Sequence, residues 1–169
     1  MSGVLVRAAT PDDSRSIAQV HAQSWGEAHA GRVPEALSER IDVDLAAWRW
    51  SARLRGATPP GGEPLGAAWV AVVDERIVGF SSAGPARDAD LAPTGAELYA
   101  LYVLAAHYGA GAGAALLEAA VGTGPASLWV LEDNPRALAF YAKHGFAPDG
   151  AVRDDDRWGG PLREMRLTR

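Results

Sequence analysis

Apolar residues recur along this chain at two spacings, and each spacing predicts one kind of element. Runs rich in apolar residues and bounded by turn residues predict strands at residues 4–9, 67–73, 77–84, 96–103 and 127–133. Apolar positions three and four residues apart predict helices after Thr10, over residues 41–56, after the glycines at 109–113, and over residues 134–145. Residues 146–152 and 161–168 predict a closing hairpin around a polar turn at 153–160. The predicted order is therefore β-α-α-β-β-β-α-β-α-β-β.

This order predicts the fold class. A chain of 169 residues can bury a substantial core, and it shows neither an internal repeat nor a linker. Residues 1–169 are therefore expected to form a single domain. Strands and helices in this order predict an α+β fold, in which one mixed sheet carries helices on both of its faces.

Composition excludes several classes of function. The chain contains no cysteine, which rules out disulfides, thiol catalysis and cysteine-based zinc sites. Its four histidines lie far apart with no H-x-x-x-H pair, and the acidic run at 153–158 lacks the rest of a calcium loop, so no metal is expected. A net charge of −5 argues against nucleic-acid binding. With no apolar run of about 18 residues and no secretory signal at the start, the expected location is the cytoplasm, without a membrane span.

Glycines at 109, 111 and 113 separate the strand 96–103 from the next helix. Such a turn offers main-chain N–H groups at the positive end of a helix, where phosphates bind. A P-loop is excluded, because no Lys-Ser or Lys-Thr follows the glycines. Gly109-x-Gly111-x-x-Ala114 does match a dinucleotide fingerprint, with Glu132 about 20 residues further on. The late position of the loop, after an antiparallel hairpin, argues against that fingerprint, and a tight structural turn remains an alternative.

Two segments together resemble the GNAT superfamily of acetyl-CoA-dependent N-acetyltransferases. "HYGAGAG" is similar to the family's pyrophosphate loop, Q/R-x-x-G-x-G/A. "NPRALAFYAKHGF" is similar to the family segment Asn-x-x-Ala-x-x-x-Tyr-x-x-x-Gly-Phe, which falls here on Asn134, Ala137, Tyr141, Gly145 and Phe146. Either motif alone is moderately specific, and both in this order are strongly specific. The resemblance implies the GNAT fold, with a mostly antiparallel central sheet.

The resemblance also implies where acetyl-CoA, as co-substrate, would bind. Main-chain groups of Leu101 and Val103 would pair with the pantetheine arm as an added strand does. The Asn134 side chain would bind the pantetheine, cap the following helix, or do both. The pyrophosphate would bind to main-chain N–H groups of the loop, namely Gly109, Ala110, Gly111, Ala112, Gly113 and Ala114.

Tyr108 departs from the family pattern. Gly111 and Gly113 fall on the two small positions of the loop, which leaves Tyr108 where the family usually has Arg or Gln. A tyrosine has no positive charge and donates one hydrogen bond. We therefore expect main-chain groups to dominate phosphate binding, so that Tyr108→Arg would tighten CoA binding or leave it unchanged.

Tyr141 and Glu97 are the candidate catalytic residues. Tyr141 lies seven residues after Asn134, two helical turns along one face, and its hydroxyl could supply a proton to the leaving thiolate. Its alternative role is that of a packed aromatic side chain. Glu97 opens the strand 96–103 and is the candidate base for the acceptor amine; a solvated strand end is the alternative. A main-chain N–H near Val103 or Leu104 would stabilise the developing oxyanion.

The acceptor side of the site is less specified. Tyr99 lies on the same strand face as Glu97, and Trp25 lies where the first two helices would form an acceptor wall. Core packing is the alternative for Trp25.

The resemblance implies an N-acetyltransferase that moves an acetyl group directly to a primary amine of a small molecule or peptide within a ternary complex. A non-catalytic acyl-CoA-binding sensor and a dinucleotide-dependent oxidoreductase are the alternatives. Pairing through sheet edges is common in the family, which leaves a homodimer open.

Overall fold

The computed structural model describes residues 3–30, 41–58, 66–91, 95–155 and 162–169. Its helices and strands follow the predicted order. They are β1 Leu5–Ala8, α1 Ser14–His29, α2 Val43–Leu54, β2 Ala67–Val73, β3 Arg76–Pro85, β4 Ala96–Val103, α3 Ala112–Val121, β5 Ala126–Leu131, α4 Pro135–Lys143, β6 Ala147–Asp155 and β7 Leu162–Thr168. Two short 3-10 turns, Pro11–Asp13 and Ala105–His107, precede α1 and α3.

These strands form one sheet in the order β1-β2-β3-β4-β5-β7-β6. Neighbouring strands pair antiparallel except β4 and β5, which pair parallel. This confirms the prediction of a mostly antiparallel mixed sheet. A dinucleotide-binding fold needs a doubly wound parallel sheet whose loop follows an early strand. The topology therefore excludes the oxidoreductase alternative.

Helices cover both faces of the sheet, as predicted. Val70 and Ala71 are neighbours on β2, so their side chains point to opposite faces. Val70 packs in one buried cluster with Ile17 of α1 and Trp50 of α2. Ala71 packs in another with Leu116 of α3. The sheet therefore separates α1 and α2 from α3.

The helix α4 joins the core on the α3 side. Its Tyr141 packs in a third buried cluster with Leu117 of α3, Leu128 of β5 and Phe146, which follows α4. The helix α3 thus contacts both clusters on this face, through Leu116 and Leu117. Among the described residues, no helix is long and apolar enough to cross a membrane.

The polar turn predicted at 153–160 is partly wrong. Arg153 and the next two residues belong to β6, which runs to Asp155. Arg153 lies opposite Glu164 of β7, and its Nε donates to Glu164 Oε2 at 2.7 Å. This cross-strand ion pair lets charged residues occupy a strand that composition alone assigned to a turn. Residues 156–160 lie outside the described part of the chain.

Asp13 fixes the start of α1. Its carboxylate accepts both terminal nitrogens of Arg7 at 2.7 and 2.8 Å, and it also accepts the main-chain N–H of Thr10 at 2.8 Å. The hydrogen bonds from Arg7, aided by those from Thr10, lower the pKa of Asp13 from 3.8 to about 2, although burial opposes the shift. The predicted helix start at Thr10 is therefore tied to β1 by an ion pair.

Asp13→Asn is expected to lower the free energy of unfolding at pH 7 by about 1–2 kcal/mol, because the folded pKa lies below the unfolded one. Wild type holds this stabilisation above about pH 4 and loses it as pH falls toward 2. The two proteins should therefore converge in acid. Urea unfolding at pH 7, 4 and 3 measures the difference; a gap that stays constant over this range would contradict the prediction.

Candidate active site

A gap opens between β4 and β5. The two strands pair only from Ala96 opposite Ala126 to Leu98 opposite Leu128. Beyond Leu98, β4 continues to Val103 and β5 continues to Leu131 without further pairing between them. The gap is part of a cleft of about 1180 Å³ that reaches from α1 and α2 to the start of α3 and α4.

The main chain of β4 faces this gap at Leu101 and Val103. The N–H of Leu104 donates to Val78 O of β3 at 2.9 Å. Successive residues of a strand turn their main-chain groups to opposite sides, so those of Val103 and Leu101 point away from β3 and toward the gap. Because the N–H of Leu104 is hydrogen-bonded within the sheet, the prediction of Leu104 as an oxyanion donor is wrong. The N–H of Val103 stays the predicted donor.

Two glycines of the loop before α3 adopt a backbone conformation that few other residues adopt. Gly109 and Gly111 have φ angles of +79° and +88°, in the left-handed region that glycine tolerates best. The first hydrogen bond of α3 runs from Ala115 N–H to Gly111 O at 3.0 Å. The N–H groups just before it, at residues 112–114, have no partner within the helix. They form the donor-rich, positive end of α3.

The predicted loop residues do not all face the cleft. Of these residues, the cleft is lined by Gly109, Gly111, Gly113 and Ala114. Ala112 instead buries its side chain in the core beside Val103. Ala110 is outside the lining, and its N–H approaches His107 O at 3.4 Å.

Gly113, in the first turn of α3, lies against the ring of Phe140 on α4. A Cβ at this position would lie 3.3 Å from the ring of Phe140, closer than most such contacts. A side chain at Gly113 would require the Phe140 ring to shift by a few tenths of an ångström. Gly113 and Asn134, at the N-terminal ends of α3 and α4, both line the cleft.

Asn134 caps α4 and retains donors. Its Oδ1 accepts the N–H of Ala137 at 3.1 Å, which confirms capping. The side-chain amide nitrogen carries two N–H groups that capping does not use. Because Asn134 also lines the cleft, capping and ligand binding can coexist in one side chain.

Tyr141 combines a packed ring with a position on the cleft. The ring lies edge-on to Phe140 and Phe146, with centroids 5.2 and 5.8 Å away. The residue is 8% exposed and is part of the cleft lining. Burial raises the pKa of the Tyr141 hydroxyl above its ordinary value, with a smaller effect from Tyr102. The hydroxyl therefore stays protonated at neutral pH, as a proton donor must.

Glu97 lines the cleft and is bound by Arg87. It is 1% exposed, and its two carboxylate oxygens accept the main-chain N–H of Arg87 at 2.8 Å and the Arg87 guanidinium Nε at 3.1 Å. Both carboxylate oxygens are therefore engaged by Arg87, and the role of Glu97 as a general base stays a prediction. The alternative of a solvated strand end is wrong, because Glu97 is buried. Its contacts anchor the segment after β3 to the start of β4.

Tyr99 and Trp25 both line the cleft on its α1 side. Tyr99 is the extra residue of a β-bulge, since the pairing of β4 with β3 shifts between Ala100 and Leu98. Its hydroxyl donates to Pro85 O at 2.7 Å. Trp25 is 5% exposed, so packing and cleft lining apply to the same side chain.

The fold also brings to the cleft three side chains to which the sequence assigned no role: His21, Glu27 and Arg136. Burial lowers the pKa of His21 to about 4, so its ring is neutral at pH 7. Glu27 Oε2 accepts the N–H of Ala105, 78 residues away in sequence, at 2.8 Å. Such contacts leave no local signal, because they depend on how α1 lies against the end of β4. Within the described residues, no group of His, Asp and Glu side chains forms a metal site.

Comparison with known proteins agrees with this geometry. The model of the acetyltransferase (GNAT) family matches residues 27–146. The uncharacterized N-acetyltransferase YuaI of Bacillus subtilis is 30% identical over 173 residues, which cover 97% of this chain and 91% of YuaI.

Two solved structures have a similar fold. The PaiA N-acetyltransferase of Thermoplasma acidophilum, solved in complex with coenzyme A, is 19% identical with a TM-score of 0.64, over 97% of this chain and 98% of PaiA. YncA of Salmonella typhimurium, solved with its cofactor acetyl-CoA, is 18% identical with a TM-score of 0.68, over 99% of this chain and 94% of YncA. A family model that matches more than half of the chain and a relative that matches almost the whole chain establish that this protein belongs to the GNAT family and is an N-acetyltransferase.

Proposed function

We propose that this protein transfers an acetyl group from acetyl-CoA to a primary amine by direct attack within a ternary complex. One observation carries the proposal: the unpaired edge of β4 and the N-terminal end of α3 open into the same cleft. The acceptor amine remains to be identified. Because the family match makes the chain an N-acetyltransferase, the sensor alternative is not carried further.

The donors on the cleft suit the chemistry of coenzyme A. Its pantetheine arm carries amides, which pair with a free strand edge such as Leu101 to Val103. Its pyrophosphate suits the N–H groups at the start of α3. The amide nitrogen of Asn134, which also lines the cleft, adds a further donor. When bound, acetyl-CoA supplies a thioester, which reacts with a neutral amine.

The residues of this chain then assist the transfer in two ways. The hydroxyl of Tyr141, protonated at neutral pH, donates a proton to the sulfur as the C–S bond breaks, and the proton that the amine loses as the C–N bond forms passes to solvent. The N–H of Val103, directed into the gap, stabilises negative charge on the carbonyl oxygen. A chain without cysteine supplies no thiol to store the acetyl group, which favours direct attack. Tyr99 and Trp25 form part of the wall against which the amine would lie.

A thermal-shift titration tests the donor half of the proposal. Coenzyme A and acetyl-CoA at about 100 times their dissociation constants should each stabilise the fold by about 2.7 kcal/mol, or about 5–11 °C in melting temperature. NAD is the matched control, since it also carries an adenosine pyrophosphate, and should give no shift. Absence of a shift with both CoA ligands, or a shift with NAD alone, would contradict the proposal. A panel of amines assayed for release of the CoA thiol then identifies the acceptor.

A further inference from the structure

Arg136 of α4 lies flat against Tyr108. The guanidinium carbon is 3.3 Å from the centre of the tyrosine ring. Arg136 is the second residue of α4, and Tyr108 directly precedes the glycine loop. Both residues line the cleft together with Gly109 and Gly111. The fold thus brings a cation from elsewhere in the chain to the position where the loop itself has none.

Hydrogen bonds of the preceding 3-10 turn fix the main chain of Tyr108. Its N–H donates to Ala105 O at 3.1 Å at the end of the 3-10 turn Ala105–His107. The N–H of Ala105 in turn donates to Glu27 Oε2 at 2.8 Å, which fastens this turn to α1. Burial raises the pKa of the Tyr108 hydroxyl, more than the charge of Arg136 lowers it, so the ring stays neutral. The ring is therefore a fixed, uncharged surface for a cation.

The start of α4 fixes the main chain of Arg136. The Asn134 cap and Pro135 at the first helical position fix the direction in which α4 begins. Within the described part of the chain, the Arg136 guanidinium forms no ion pair with a carboxylate, and its stacked face leaves the N–H groups at its edge available. A guanidinium ordered in this way loses little further freedom when it binds an anion, and its N–H groups can hold a phosphate through two parallel hydrogen bonds.

We propose that Arg136, ordered by stacking on Tyr108, is a phosphate-binding residue of the coenzyme A site. It supplies from α4 the charge that the family loop usually carries at the position of Tyr108. Because Arg136 lies beside the N–H groups of the loop, which suit the pyrophosphate, the pyrophosphate is the group that Arg136 would contact. This inference rests on the proposed function. It also changes the expectation for Tyr108→Arg, because the change would remove the ring that orders Arg136 and place two cations together.

Arg136→Gln tests the inference by isothermal titration with CoA, dephospho-CoA and S-acetylpantetheine. Loss of charged hydrogen bonds should weaken CoA and dephospho-CoA about tenfold alike and leave S-acetylpantetheine unchanged. A loss confined to CoA would identify the 3′-phosphate as the partner, which still supports phosphate binding. Equal affinity of variant and wild type for CoA would overturn the inference. Arg15→Gln is the matched control, since Arg15 is exposed on α1 outside the cleft.

Two further measurements separate binding from a structural role. A contact with phosphate is screened by salt, so the decline of CoA affinity with ionic strength should be shallower in Arg136→Gln than in wild type. Tyr108→Phe keeps the ring and should bind CoA like wild type, whereas Tyr108→Ala should weaken it. An unchanged salt dependence, or full affinity in Tyr108→Ala, would argue against the stacked pair. If wild type itself binds no CoA, the proposed function fails; if wild type binds and Arg136→Gln binds equally, this inference alone fails.

Discussion

Arg87→Met is expected to lower the free energy of unfolding by about 3 kcal/mol, because it leaves a buried charge without its partner. Glu97 is 1% exposed, and the Arg87 guanidinium binds its carboxylate. Methionine keeps much of the apolar stem of arginine but removes the cation. The main-chain N–H of residue 87 still donates to Glu97, so the charge keeps one hydrogen bond and the loss stays below the largest values for buried pairs.

Urea unfolding at pH 7 measures this loss, and two controls define its cause. The double variant Arg87→Met, Glu97→Gln removes both charges and should recover part of the stability lost in Arg87→Met alone. Arg15→Met removes an arginine whose partner, Asp44, is also exposed, and should cost less than about 0.5 kcal/mol. An Arg87→Met protein within about 1 kcal/mol of wild type would show that the pair does not stabilise the fold.

The pair also explains why the role of Glu97 could not be predicted from sequence. Periodicity placed Glu97 correctly at the start of β4. It could not show that Arg87, ten residues earlier in the segment after β3, would reach the same carboxylate. An acid at a strand start has the same pattern whether it faces solvent, a substrate or an arginine. Only the path of the intervening chain decides among these environments.

Elements with strong local signals were predicted correctly. Asn134 and Pro135 mark the start of α4 through capping and a fixed φ angle, which act within one turn. The glycines at 109 and 111 mark the turn into α3 because their positive φ angles suit few other residues. The gap between β4 and β5 has no such signal, since a strand edge without a partner has the same sequence pattern as one with a partner. The resemblance to the family implied that main-chain groups of Leu101 and Val103 would pair with the pantetheine arm.

Contacts across the cleft were the hardest to predict. Tyr108 and Arg136 are separated by β5 and α3, and neither has a sequence pattern that names the other. In the sequence, Tyr108 stands where the family usually has Arg or Gln. In the fold, the ring of Tyr108 contacts the guanidinium of Arg136, a cation that α4 supplies. A departure from a family motif is therefore interpreted correctly only once the side chains packed around it are known.

Tyr141→Phe is expected to lower kcat about 100-fold, which is the usual contribution of a positioned proton donor. The ring of Tyr141 packs against Phe140 and Phe146, and phenylalanine keeps those contacts. The melting temperature and the dissociation constant for CoA should therefore match wild type. Since the hydroxyl acts on the leaving sulfur and does not bind the ground state, KM for acetyl-CoA should change little.

The pH dependence tests the protonation state that this role requires. Burial raises the pKa of Tyr141, so the wild-type hydroxyl remains protonated and kcat should not decline between pH 7 and about 9 through its ionisation. The rate of Tyr141→Phe should stay low across the same range, because the variant has no proton to donate at any pH. Steady-state kinetics at saturating acetyl-CoA, with the amine found in the panel, measures both profiles. An unchanged kcat in Tyr141→Phe would remove Tyr141 from the mechanism and leave it a core aromatic residue.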